Sequence, residues 1–295
     1  DITRNLLKDD PKYSLDGIGA YHLTLGRNKK SVELDLKSED GLKLFKELVS
    51  VADVVVDNFS QGVTKRLGID HQSLKKVNPK IITCSISGFG DTEVNRPAYD
   101  NLIQGYAGAM SITGTDKDNP VKSGIPIADL GAGLYAVIGI LSAIQSREKN
   151  DSGEHVDISM LDTQVSLLTY MATMHFLSGE NPEPIGNQHM NHVPFNSYRT
   201  SDGFIQIGVV AEDFWPSLIE ALDLRQLDTE ENKVRIGRLK NRENIDEALQ
   251  EVFITNTTEH WLKILQEHRV PCGPINTLSE TFEDADLLKR NMIVE

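Results

Sequence analysis

Cysteine is scarce in this sequence: the 295 residues contain two, Cys84 and Cys272. They lie far apart in the chain and show none of the spacings that metal sites use. So low a cysteine content is typical of a reducing compartment, and we interpret both thiols as small buried side chains. We therefore expect no metal site and a cytoplasmic protein, with the mitochondrial matrix as the alternative in a eukaryote.

Several common motifs are also missing. The chain has no G-x-G-x-x-G, no G-x-x-x-x-G-K-[ST], no G-x-S-x-G and no H-E-x-x-H. These absences argue against dinucleotide-binding and P-loop chemistry, so a ligand would be held in another way. No apolar run reaches the length of a membrane span, and the start at Asp1 has no secretory pattern. We therefore expect neither a membrane contact nor secretion.

Positive charge is in short supply. Lysine and arginine number 30 against 44 aspartates and glutamates, which gives a net charge of −14 and a pI near 5.0. Such a surface repels a phosphate backbone, so we expect no nucleic acid as partner. Basic residues do cluster locally between Arg27 and Lys37, which leaves a small anionic ligand open.

Strand-like and helix-like segments alternate in the first half of the chain. We expect strands over four short apolar segments, residues 31–36, 52–57, 81–87 and 154–159. Helices are expected over 38–51 and 160–178. This alternation predicts an α/β fold with a doubly wound, Rossmann-like large domain. Ligands of such sheets bind at the carboxyl ends of the strands, where Asn58 and the loop from Gly88 fall.

The composition changes after residue 178, where glycine, proline and asparagine accumulate. We expect a large α/β domain over 1–180, a linker over 181–196, a small α+β domain over 197–278 and a return to the large domain over 279–295. The small domain should contain two strands around a turn at Ser201 and helices over 213–222, 241–253 and 258–268. His189 and His192 lie in the linker without an acidic or cysteine neighbour, so we interpret them as ordinary surface residues.

One carboxylate, Asp129, stands before an almost wholly apolar run that includes Gly131, Gly133 and Gly139. The run predicts a buried helix of about fifteen residues, too short for a bilayer, whose glycines mark close packing. Asp129 then lies at or just before the first turn. From this stretch alone its commoner role is an N-cap. The alternative is a nucleophile or base within reach of a ligand.

Five segments, 28–37, 52–59, 85–90, 127–134 and 270–274, occur together in the order and register of one known family. They resemble the family III CoA-transferases of CaiB/BaiF type, the group that contains formyl-CoA and carnitine CoA-transferases. The likeness extends from about Arg27 to the last residue. Family members are longer at both ends, so we expect the sequence to be truncated there.

The resemblance implies that Asp129 is the nucleophile. It would attack a donor acyl-CoA to form a mixed anhydride, and the released CoA thiolate would then form an aspartyl-CoA thioester. A free carboxylic acid would take up CoA by the reverse steps. The resemblance further implies no permanently bound cofactor, CoA and acyl-CoA as substrates, and a homodimer of interlocked chains. Succinyl-CoA is the donor that we expect.

The family's CoA-contacting positions match residues across the first half of the chain. The resemblance implies CoA contacts for Leu34, Lys37, Asn58, Phe59, Arg66 and Leu67. It places Tyr99 beside CoA and Asp100 where formyl-CoA transferases carry an active-site glutamate. Without the resemblance, Leu34 and Phe59 would be interpreted as core residues, and Lys37 and Arg66 as surface charges.

Two alternatives to CoA transfer are open: a 2-methylacyl-CoA racemase, which has the same fold, and a CoA-binding protein that has lost turnover with its missing ends. 2-Methylacyl-CoA racemases need a histidine before the aspartate, and this chain has Tyr99 there, a poor base at neutral pH. We therefore favour CoA transfer over racemisation. A CoA-binding protein without turnover is the third hypothesis. The glycine-rich lid of formyl-CoA transferases has no counterpart, which argues against formate as substrate.

Overall fold

The structure, a computed structural model, describes residues 2–92, 94 and 96–293. The elements up to residue 106 are β1 (Ser14–Leu15), β2 (Ile18–Gly19), α1 (Ala20–Leu25), α2 (Glu39–Val51), β3 (Val54–Asp57), α3 (Val63–Leu67), α4 (His71–Lys75), β4 (Ile82–Ser87) and α5 (Asp100–Tyr106). The elements up to residue 208 are α6 (Ile127–Asn150), β5 (His155–Ser159), α7 (Met160–Ser166), α8 (Tyr170–Ser178), β6 (Phe195–Arg199) and β7 (Phe204–Gly208). The remaining elements are α9 (Phe214–Leu222), α10 (Arg235–Lys240), α11 (Arg242–Phe253), α12 (Thr258–Glu267), β8 (Cys272–Pro274), α13 (Leu278–Glu283) and α14 (Ala285–Lys289). Short 3₁₀ turns cover Ile2–Arg4, Ala109–Ile112 and Arg225–Leu227.

The chain forms two compact units. The first contains Asp1–Pro97 and Gly133–Ser159, and the second contains Ala98–Ala132 and Met160–Glu295. Both are discontinuous in sequence because α6 begins in the second unit and ends in the first. This division differs from the expected boundary near residue 180, and the four predicted domain ranges stay a prediction.

The first unit is built on a parallel sheet in the order β3-β4-β5. Val55, Thr83 and His155 are register partners and therefore point to the same face. On that face Val55 packs against the core beneath α2, and His71 of α4 bonds to Thr83 at 3.0 Å. Val156, next in register, points to α6 on the other face. Helices on both faces of a parallel sheet confirm the doubly wound α/β prediction.

Helix α2 confirms the predicted start signal. The Ser38 hydroxyl accepts a hydrogen bond from the Gly41 amide at 3.1 Å, which satisfies one of the free N–H groups of the first turn. The predicted strand over 31–36 is wrong, since none of these residues joins a sheet. Val32 is 68% exposed, whereas Leu36 packs against the core beneath α2, so the segment is partly buried without pairing to a strand.

The second unit has an antiparallel sheet in the order β6-β7-β8. Helices α9, α11 and α12 supply its core, in which Trp215, Tyr198 and Phe253 are fully buried. The predicted strands around Ser201 and the predicted helices are confirmed. The single helix predicted over 160–178 is wrong. It divides into α7 and α8 because Thr169 adopts a positive φ of 51°, which interrupts the helix.

Helix α6 departs most from expectation. It has 24 residues rather than about fifteen, and by length and composition alone it could cross a membrane. Core helices of globular proteins meet the same criterion, so length and composition do not identify α6 as a membrane span. The prediction of a helix buried on all sides is also wrong. A small-residue stripe is buried, Ala128, Ala132, Ala136 and Ala143, whereas large apolar side chains are 48–67% exposed, Leu130, Leu134, Val137, Ile138 and Leu141.

The glycines of α6 are not equivalent. A Cβ on Gly131 would lie 3.1 Å from Thr163 and Leu167 of the second unit, and a Cβ on Gly139 would lie 2.6 Å from Val156 Cγ1 of the first. Both confirm the prediction of close packing. A Cβ on Gly133 would meet nothing within 4 Å, so the same prediction is wrong there.

Candidate active site

Asp129 is the third residue of α6 and is accessible to solvent. Nothing in the described part of the chain donates a hydrogen bond to its carboxylate. A carboxylate in the first turn of a helix is stabilised by the helix dipole. The Asp129 carboxylate, however, accepts no hydrogen bond from the backbone amides of that turn. The side chain is therefore free to meet a ligand.

The cap of α6 comes from a distant residue. Asp100 Oδ1 accepts hydrogen bonds from the backbone amides of Ala128 at 2.9 Å and Asp129 at 3.4 Å. These are two of the N–H groups that a helix cannot satisfy internally. The N-cap interpretation of Asp129 is thus wrong, because Asp100, the first residue of α5, performs that task across 29 residues of sequence.

Asp100 is itself held in place by Gln104. The Gln104 amide donates from Nε2 to Asp100 Oδ2 at 2.6 Å, and its Oε1 accepts from the Ser123 amide at 2.9 Å. Gln104 is 1% exposed. It was not among the predicted site residues. The available signal was its position four residues after Asp100, one helical turn along the same face.

The electrostatics of the pair distinguish Asp129 from an ordinary surface aspartate. Partial desolvation, followed by the negative charge of Asp100, raises the pKa of Asp129 above its ordinary value. Both effects disfavour the carboxylate form, because one removes hydration and the other adds like-charge repulsion. Raising the pKa of a carboxylate increases its basicity, which suits a group that attacks or takes up a proton.

Tyr99 precedes this pair and is 70% exposed. Its backbone is the N-cap position of α5, and its ring stands in solvent rather than in the core. Tyr99, Asp100 and Asp129 all belong to the second unit. The structure therefore places these three predicted site residues around one helix start, while the contact of Tyr99 with CoA stays a prediction.

Asn58 and Phe59 follow β3 at its carboxyl end, as predicted. The Asn58 side chain donates from Nδ2 to the carbonyl of Ile86 in β4 at 2.6 Å, so it joins the loop after β3 to the end of the neighbouring strand. The Phe59 amide bonds to Asp57 Oδ1 at 3.1 Å, and its ring is 42% exposed. Phe59 is thus not a core residue.

The other four predicted CoA residues occupy two stretches of the first unit, the loop before α2 and helix α3. Lys37 is exposed and Leu34 half-buried, both in the loop before α2. Arg66 is exposed on α3, with its Nη1 close to Gly62. Leu67 packs against the core beneath α2, so burial alone accounts for it. The CoA contacts of all four stay predictions.

The described residues contain no group of three or more histidines, cysteines or acids that could hold a metal ion. His189 and His192 lie with their ring centroids 4.7 Å apart, and His189 also packs on Phe195 at 5.2 Å. The histidine pair therefore contributes to aromatic packing beside β6.

The chain is similar to a known family throughout. The family model for CoA-transferase family III matches residues 1–295. Among solved structures, a CAIB/BAIF family protein from Brucella suis is 34% identical with a TM-score of 0.90, over 100% of this chain and 79% of that one.

The curated relatives are also named as CoA-transferases. The human succinyl-CoA:glutarate CoA-transferase is 32% identical over 93% of this chain, which spans 64% of the human protein's length. The succinyl-CoA:mesaconate CoA-transferase of Haloarcula hispanica is 32% identical over 99% of this chain and 76% of that protein.

Proposed function

The chain belongs to CoA-transferase family III, and we propose that it moves coenzyme A from an acyl-CoA donor to a free carboxylic acid, with Asp129 as the nucleophile. The observation that supports this most strongly is the Asp129 carboxylate, which accepts no hydrogen bond from the residues that the structure describes, at a helix start that Asp100 caps. A purely structural aspartate at this position would be expected to accept hydrogen bonds from backbone amides with its side-chain oxygens.

The reaction proceeds in balanced acyl exchanges that need no oxidant or reductant. An Asp129 oxygen attacks the thioester carbonyl of the donor, the C–S bond breaks, and CoA leaves as thiolate. The thiolate attacks the Asp129 carbonyl of the mixed anhydride, which releases the donor acid and forms an aspartyl-CoA thioester. The acceptor carboxylate attacks that thioester and expels CoA thiolate, which gives a second mixed anhydride. The thiolate then attacks the acceptor's acyl carbon, so that the product acyl-CoA forms and Asp129 leaves as a free carboxylate. Covalent catalysis thus splits one difficult exchange into easier steps.

The names of the relatives support a proposal for the substrates. Two of them use succinyl-CoA as donor and a dicarboxylic acid, glutarate or mesaconate, as acceptor. We propose succinyl-CoA as donor and a small dicarboxylic acid as acceptor for this chain. Lys37, Asn58 and Arg66 are proposed to contact CoA, and Asp129 is proposed to react with the thioester.

Racemisation is less well supported. It needs a base beside the acyl group, and both oxygens of Asp100 already accept hydrogen bonds from backbone amides or Gln104. A tyrosine phenol is a poor base at neutral pH, so Tyr99 does not replace the histidine that racemisation needs. We therefore assign Asp129 to acyl transfer rather than to α-proton removal.

The experiment is a transfer assay with the full chain. Succinyl-CoA is supplied with glutarate, mesaconate or butyrate in deuterated water, and products are read by mass spectrometry. We expect glutaryl-CoA or mesaconyl-CoA and less butyryl-CoA. In a separate incubation in deuterated water, a chiral 2-methylacyl-CoA should gain no α-deuterium. Rapid α-deuteration without transfer would reassign the protein as a racemase. CoA binding without either reaction would support the third hypothesis.

The homodimer stays a prediction and forms part of the proposal. The exposed apolar side chains of α6 recur at helical spacing from Leu130 to Leu141, and a second copy covering them would remove this surface from water. Light scattering of the full chain should give twice its mass of 32.8 kDa. A stable monomer at micromolar concentration would contradict the prediction.

A further inference from the structure

Gln104 is buried in a place where its amide group has one satisfactory orientation. The Ser123 N–H can only donate, so Gln104 must present Oε1 to it. The Asp100 carboxylate can only accept, so Gln104 must present Nε2 to that side. With 1% of the residue exposed, water cannot replace either bond.

The two bonds of Gln104 reach both flanks of the start of α6. Ser123 lies in the loop that leads into the helix, and Asp100 accepts from Ala128 and Asp129 within its first turn. Asp100 uses different oxygens for the two tasks, Oδ2 for Gln104 and Oδ1 for the helix. A rotation of the Asp100 carboxylate would therefore break bonds on both sides at once.

We infer that Gln104 is a positioning residue for acyl transfer: its buried amide fixes the Asp100 carboxylate, which in turn fixes the helix turn that carries the Asp129 nucleophile. The inference rests on the proposed function for the role of Asp129. Gln104 touches neither substrate nor the reacting atoms in this account. It acts through Asp100, because a displacement of about 1 Å at a nucleophile can cost roughly a hundredfold in rate.

The inference predicts a reciprocal rescue. In Gln104→Glu the donor to Asp100 is lost, and two carboxylates face each other. In Asp100→Asn two amide donors face each other, and turning Gln104 over only moves the mismatch to Ser123. Combining Asp100→Asn with Gln104→Glu restores every bond, since the asparagine amide then donates to the glutamate while its oxygen still caps α6.

The experiment measures the rate at which succinyl-CoA modifies Asp129 in the full chain, below the melting temperature of each variant. We expect Gln104→Met and each single exchange to lower that rate by roughly tenfold to a hundredfold, with the KM for succinyl-CoA nearly unchanged. The double exchange should recover at least about tenfold over either single one. Gln250→Met is the matched control, because the Gln250 amide likewise uses both its Oε1 and its Nε2 in hydrogen bonds, in this case to the backbone of Arg199 in β6.

A second readout does not depend on activity. Hydrogen–deuterium exchange of a peptide over residues 124–131 should be faster in Gln104→Met and return to the wild-type rate in the double exchange. If the wild type is never modified, the proposed function fails, while this readout still decides whether Gln104 orders the helix start. Wild-type exchange and modification in Gln104→Met, an equal rate loss in Gln250→Met, or no recovery in the double exchange would each overturn the inference.

Discussion

Asp100 and Asp129 are linked through the backbone of the helix that carries the second of them. Asp100 Oδ1 accepts the Asp129 amide at 3.4 Å, and the two carboxylates lie close enough for the charge of Asp100 to raise the pKa of Asp129. One residue thus both fixes the helix start and tunes the group presented there. This relationship makes the pH dependence of the reaction a direct test of the site.

The first prediction concerns that pH dependence. Asp129 must be ionised to attack, and its pKa is raised, so kcat/KM should fall on acidification at a higher pH than for an ordinary aspartate. Asp100→Asn removes the repelling charge, so the acid limb of the profile should move to lower pH even though the maximal rate falls. Desolvation remains, so part of the rise should persist.

The control for this profile is Asp118→Asn, which removes an exposed carboxylate from a loop of the same unit. It should leave the acid limb in place. An acid limb that moves to higher pH in Asp100→Asn, or does not move, would contradict the electrostatic account of the pair.

A second prediction tests the CoA contacts of α3. Arg66→Glu should weaken CoA binding by about tenfold or more, because a phosphate contact is replaced by repulsion. Lys65→Glu makes the same charge change on the neighbouring exposed residue of α3 and should have a much smaller effect. Isothermal titration calorimetry with CoA measures both. Equal losses would show a general charge effect, and unchanged affinity in Arg66→Glu would remove Arg66 from the site.

The third prediction compares two glycines six residues apart on α6. Gly139→Ala should lower the free energy of unfolding by about 1–2 kcal/mol, because its Cβ would stand 2.6 Å from the stiff Val156 side chain. Gly133→Ala should raise it by up to about 1 kcal/mol, since alanine favours the helix and meets nothing within 4 Å. Urea unfolding monitored by circular dichroism gives both values. Similar losses of unfolding free energy at the two positions would refute the assignment of close packing to Gly139 and not to Gly133.

The sequence predicted elements whose signal is local. Strands β3 and β4 are short runs rich in β-branched residues, and Ser38 marks the start of α2 because its side chain caps the first turn. Residues 31–36 failed because alternation says nothing about a partner strand. The break at Thr169 failed because a positive φ at threonine has no compositional signal.

The site was predictable in chemistry but not in geometry. Asp129 could be singled out from its position before an apolar run, together with the resemblance. That Asp100 caps α6 could not be predicted, because the two residues are 29 apart and their contact depends on how α5 packs. Gln104 was missed for the same reason, since burial of one polar side chain is a property of the assembled unit. The exposure of Leu134 likewise depends on which surfaces meet α6.

The most direct test of the central claim is whether Asp129 becomes covalently modified. The full chain is given succinyl-CoA and then hydroxylamine or borohydride, and the modified residue is identified by peptide mass spectrometry. We expect a hydroxamate or alcohol at Asp129 in the wild type and none in Asp129→Asn, since a neutral amide does not attack a thioester. Because Asp100 caps the helix, the free energy of unfolding of Asp129→Asn should lie within about 0.5 kcal/mol of the wild-type value. Transfer by Asp129→Asn at near wild-type rate, with deamidation back to aspartate excluded by mass, would contradict the account.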